Sequence, residues 1–175
     1  MKLKKFFRRV KMIVLGWDFL VSLAISLISY FAINVSISNL FAKDIYGIGI
    51  SVLSIVFSVY FAALAIIIAS SDDGFVDFLE KQGVYQEIIW TFRYSLFILF
   101  IGLLFSLIIY ALTSAWITFS DAARQNSLQP REYFAVFIFL FSYGLFCSLN
   151  STLDSIKYAL RRSRYLQIKR NNDEN

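Results

Sequence analysis

The chain has 175 residues, of which 58% are hydrophobic and 18% aromatic, and its mean hydropathy is +0.65; a water-soluble domain of this size cannot bury so much apolar surface, so a membrane domain is expected. Histidine is absent and Cys147 is the single cysteine, which removes the commonest general base and metal ligand, an intrachain disulfide and a cysteine-based zinc cluster. The net charge of +5 comes from 17 Lys and Arg against 12 Asp and Glu, and because the bases gather at the two ends it points to orientation in a bilayer, not to nucleic-acid binding.

Lys2, Lys4, Lys5, Arg8, Arg9 and Lys11, with Phe6, Phe7 and Val10 between them, form a basic juxtamembrane segment drawn to anionic headgroups by roughly 1 kcal/mol per base. The apolar run that follows, about 12–41, is longer than the roughly 7–15 residues of a signal-peptide core and is expected to stay as a first transmembrane helix. Trp17 marks its entry and Asp18 is its sole charge. A break at Ala42-Lys43-Asp44 precedes a second run at about 45–69, and the two form a helical hairpin. Ser22, Ser26 and Ser29 on the first helix, and Ser51, Ser54, Ser58, Ala62, Ala65 and Ala69 on the second, recur at three and four residues. Such stripes admit close helix packing; alternatively, Ser51, Ser54 and Ser58 line a hydrated pore in an oligomer.

Ser71, Asp72 and Asp73 are helix-capping residues and Gly83 a stop, which predicts a short amphipathic helix over about 72–83 between the hairpins. Phe75, Phe78 and Leu79 fall on one side and Asp73, Asp77 and Glu80 on another, so the helix lies at the membrane surface as a solvated connector or as a docking face for a basic protein partner. A third run, about 88–119, carries Trp90 and Trp116 near its ends as an interfacial belt does. A polar break with Pro130 leads to a fourth helix at about 133–155, which leaves the membrane near Asn150–Asp154 and continues through Lys157, Tyr158, Arg161 and Arg162 into a basic tail with a frayed end at 171–175. The fold class is therefore all-α, an integral membrane four-helix bundle of two transmembrane hairpins, in one domain.

The N-terminal segment, central linker and tail carry 6, 1 and 6 bases, against Lys43, Arg124 and Arg131 on the other side. That bias places both termini and the linker in the cytoplasm and the chain in the plasma or inner membrane. Asp18 and Arg93 each lie about five residues, or roughly 7 Å, into their helices from the same side. They are candidates for an intramembrane ion pair, with Asp154 a second partner for Arg93; the alternative is that Arg93 snorkels to the headgroups. There is no metalloprotease, phosphate-loop or nucleophile-elbow motif, and Asp72 and Asp73 lack the ligand spacing of a calcium loop, so neither an enzyme nor a cofactor or metal site is expected. The layout of basic start, hairpin, acidic Ser71-Asp72-Asp73-Gly74-Phe75 linker, second hairpin and basic tail resembles small four-helix membrane proteins of bacterial defence systems. That resemblance implies an oligomeric membrane-perturbing effector or sensor and carries over no functional residues. Two functions follow: a homo-oligomeric pore or effector, in which several copies supply the conduction path that a single chain is too small to hold, or a membrane anchor and adaptor that recruits a cytoplasmic protein through its acidic linker and basic tails.

Overall fold

The computed structural model describes residues 16–33, 36–69, 85–119 and 128–173. Four helices, α1 (Trp17–Ala32), α2 (Asn39–Ala69), α3 (Tyr85–Phe119) and α4 (Arg131–Asp173), are joined by two short strands, β1 (Ser36–Ser38) and β2 (Leu128–Pro130). Asn39–Ala65, Ile89–Phe119 and Arg131–Asp154 are long and apolar enough to cross a membrane. Helix α1, with 16 residues, is about 24 Å long and shorter than a hydrocarbon core of about 30 Å. Ile28, Phe31, Ile55, Val59, Leu112 and Phe119 are each more than three-fifths exposed. Such a surface belongs in lipid, and the protein is a membrane-associated helical bundle.

The run at 12–41 is not one helix. Ile33 is extended and caps α1 with its N–H on Ser29 O at 3.1 Å, β1 follows, and α2 begins at Asn39, before the expected break at 42–44. The reason is local: through Ile33-Asn34-Val35-Ser36-Ile37-Ser38 the sequence alternates β-branched and polar residues, a period of two that suits a strand. Ala42 is fully buried inside α2, while Lys43 sits 5.8 Å from the centre of the Tyr110 ring. Strands β1 and β2 pair antiparallel with Ile37 opposite Gln129, so the α1–α2 and α3–α4 connections meet at one end of the bundle, the ladder end. Helix α4 starts directly after Pro130 and runs unbroken past Asp154 to Asp173 at the other end, the tail end.

The order of packing differs from two sequential hairpins. Helix α1 packs on α4, α4 on α3 and α3 on α2, with a smaller α2–α4 contact. Helix α4 is thus central, touching all three others, and the buried residues of α3 beside it, Phe92, Ser95, Leu99, Gly102, Ser106, Ile109 and Thr113, recur at alternating steps of three and four, the seam of closely packed helices. The small members of that seam let α4 approach, and a Cβ added to Gly102 would meet Leu140 O at 3.4 Å. Between α2 and α4, a Cβ on Gly49 would lie 2.5 Å from the Phe137 ring, which is itself buried; only glycine admits that crossing. The core divides into a tail-end cluster of Leu53, Tyr60, Phe92 and Leu99 and a ladder-end cluster centred on Tyr46, Ile109, Phe134 and Phe137.

Candidate functional site

At the ladder end, polar side chains tie the connections down. Gln129 Nε2 donates to Tyr46 Oη at 2.9 Å. Arg131 lies 3.9 Å over the Tyr30 ring and donates to Tyr30 Oη at 3.0 Å and to the Tyr30 and Ile33 carbonyls at 3.4 Å. The guanidinium thereby serves the carbonyl groups that the end of α1 leaves unpaired. This end is closed by packing.

The tail end carries a polar seam between α1, α3 and α4. Ser95 and Ser151 share a hydroxyl–hydroxyl bond of 2.6 Å, Ser95 also donates to Cys147 O at 3.2 Å, and the Tyr94 and Tyr143 hydroxyls are 2.6 Å apart. Cys147 Sγ donates to Asp18 Oδ2 at 3.3 Å, and nearer the ladder end Ser26 donates to Ala135 O at 2.8 Å, so both bonds join α1 to α4. Beside Ser95, the buried Tyr60 hydroxyl has no hydrogen-bond partner among the described residues. The other hydroxyls and the thiol of this seam bond to one another or to a carbonyl or carboxylate, and aromatic rings pack beside them. Phe19 stands edge-on to both Phe139 and Tyr143 at 5.4 and 5.6 Å.

The candidate ion pair takes a different form. Asp18 meets the Cys147 thiol, and Asp154 pairs with Lys157 at 2.8 Å one helical turn along α4. Among the described residues no ion pair joins Arg93 to either carboxylate. Asp18 lies against α4 because α1 packs there and not on α2. Arg93 is exposed and faces a groove between α2 and α3. Asp73, Asp77 and Glu80, with the whole expected helix over 72–83, lie outside the described residues.

The small-residue stripes divide as well. Ser22 and Ser26 are buried, as close packing of α1 requires. On α2 the expectation of packing within the chain is not met. Ser51 and Ser58 are exposed, their hydroxyls bonded back to Gly47 O at 3.0 Å and Ser54 O at 2.8 Å on their own helix, and Ser54 is half-buried. Ala62 and Ala65 are exposed too. Sequence reasoning overlooked Ser95 and Ser106, although the steps of three and four along α3 carried the signal, and it took Ser151 for part of the exit of α4 from the membrane, whereas that side chain is buried against Ser95. Among the described residues no group of three or more Asp, Glu or Cys side chains could hold a metal ion. Comparison with family models, curated proteins and solved structures finds no match to this chain.

Proposed function

We propose that the protein acts as a homo-oligomeric membrane effector in which the outer face of α2 is the contact between copies and, in a ring of copies, the wall of a pore. The observation that carries this reading is the face itself. Ile48, Ser51, Ile55, Ser58, Ala62 and Ala65 follow the three-four spacing of a helix seam, yet all are exposed in the single chain. On α3 the same spacing is consumed by α4 and by the inner face of α2; on the outer face of α2 it is open. A second copy would fill it, with small side chains allowing backbones to approach and serine hydroxyls able to turn from their own helix to a neighbour or to water. The interior of one chain is packed with aromatic rings, so conduction would arise only between chains.

The alternative, an anchor that recruits a cytoplasmic protein, is favoured by a different feature. Helix α4 carries Lys157, Arg161, Arg162, Arg164, Lys169 and Arg170 beyond Asp154 on one continuous helix, and a run of six bases suits an acidic partner. One experiment separates the two. Native mass spectrometry of the protein released from nanodiscs should give a discrete homo-oligomer, and Ser58→Trp, a change at a site exposed in the single chain, should return it to monomer while the helical circular dichroism is unchanged. A monomer that retains a companion protein would reject the effector reading in favour of the adaptor.

A further inference from the structure

The groove between α2 and α3 is lined by Phe57, Phe61, Trp90, Arg93, Phe97 and Phe100 and has a volume of about 560 Å³, within the range of small-ligand sites. It presents one guanidinium on a wall that is otherwise aromatic except for Leu96. Arg93 lies about five residues into the apolar run that starts at Ile88, roughly 7 Å along the helix, which in a bilayer spanned by that run is near the boundary of headgroups and acyl chains. Below it, Phe97 and Phe100 are 60% and 48% exposed, and Phe57 packs at 6.4 Å from Phe100 and 6.4 Å from Phe61. The Trp90 and Tyr94 rings stack nearly parallel at 5.4 Å on the same face, as aromatic side chains do at a bilayer interface.

We propose that this groove is a binding site for an anionic phospholipid. Its phosphate pairs with Arg93, and one acyl chain lies along Phe57, Phe61, Phe97 and Phe100. The argument is charge complementarity at a fixed depth. A guanidinium at the edge of the hydrocarbon needs an anion, the carboxylates expected to supply one, Asp18 and Asp154, are bonded to Cys147 and Lys157, and the groove opens beside the helices where lipid lies. Arginine binds a phosphate through a planar fork of donors, while the rings offer an apolar trough to the chain below. The inference does not depend on self-association through α2, although Phe61 of the groove stands at helical spacing from Ser58 and Ala65 of that seam.

Trp90 reports on the groove. In a Trp17→Phe, Trp116→Phe background it is the only tryptophan of the chain. In phosphatidylcholine nanodiscs, spin-labelled phosphatidylglycerol, with the nitroxide near the top of the acyl chain, should quench its fluorescence half-maximally at about a tenfold lower mole fraction than the equally labelled phosphatidylcholine, the effect expected of one charge-assisted contact. Arg93→Gln should abolish the preference and Arg93→Lys should keep most of it. Equal quenching by both lipids in the unsubstituted background overturns the proposal without recourse to any Arg93 variant. So does a preference that survives Arg93→Gln, which would assign it to the basic ends of the chain. A preference that emerges only in Asp73→Asn, Asp77→Asn, Glu80→Gln would show the groove to be occupied by the chain's own acidic segment, and would overturn the proposal too.

Discussion

Tyr46 and Tyr60 are both buried tyrosines of α2, yet their hydroxyls meet different fates. Tyr46 Oη accepts from Gln129, which is itself buried and whose Oε1 has no partner among the described residues. Tyr60 stacks on Phe92 at 4.9 Å and its hydroxyl has no partner among the described residues. The same deletion of one oxygen should therefore have opposite signs. Tyr46→Phe strands the Gln129 amide inside the ladder end and should cost about 1–3 kcal/mol, whereas Tyr60→Phe removes an unsatisfied group and should be neutral or stabilising by about 1 kcal/mol. Unfolding in dodecyl maltoside–SDS mixtures, followed by circular dichroism, measures both. Equal destabilisation would mean that the Tyr60 hydroxyl is bonded in the membrane.

At the level of elements, apolarity and periodicity carry different amounts of information. That the four apolar runs contain helices was legible from run length alone, but run length made all four spanning, whereas three are long enough and α1 has 16 residues. The division of the first run was not, because Ile33, Val35 and Ile37 keep the hydropathy high while the period changes from helical to alternating, and a count of apolar residues does not register that change. Nor was the pairing of α1 with α4 legible. The serines of α1 announce close packing but not the partner, which the β1–β2 ladder settles by drawing Arg131 onto the end of α1. The exposed stripe of α2 and the buried stripe of α3 have the same spacing, and only the fold tells them apart. The expectation that helical spacing continues beyond Asp154 has a specific consequence. Thr152 and Gln167, both exposed, are fifteen residues apart on α4, and an unbroken helix separates them by about 22 Å. Spin labels at these two sites, in a Cys147→Ser chain, should give a narrow distance distribution near that value by electron–electron double resonance. A broad distribution would mean that the helix ends where the membrane does, and would remove the rigid basic arm on which the adaptor reading depends.

Over the whole molecule, charge and chain path combine into a statement about sidedness. The ladder gathers two connections at one end, and the bases described there are held by the protein itself, Arg131 on Tyr30 and the carbonyls of α1 and Lys43 near Tyr110. At the tail end α4 carries six bases past Asp154. Since positive flanks are retained on the cytoplasmic side, we expect the tail end to face the cytoplasm and the ladder end to face out. The bundle offers exposed positions at each end to check this, Leu128 in β2 and Ser163 on the extension of α4. With Cys147→Ser as background, a membrane-impermeant maleimide applied to intact cells should label Leu128→Cys at once and Ser163→Cys only after permeabilisation. The reverse pattern would leave the bundle intact and invert its orientation, so that the basic arm could not meet a cytoplasmic partner. Labelling of both from one side would contradict the two-ended path of the chain itself, because α4 could then not carry its apolar half across the bilayer between those positions.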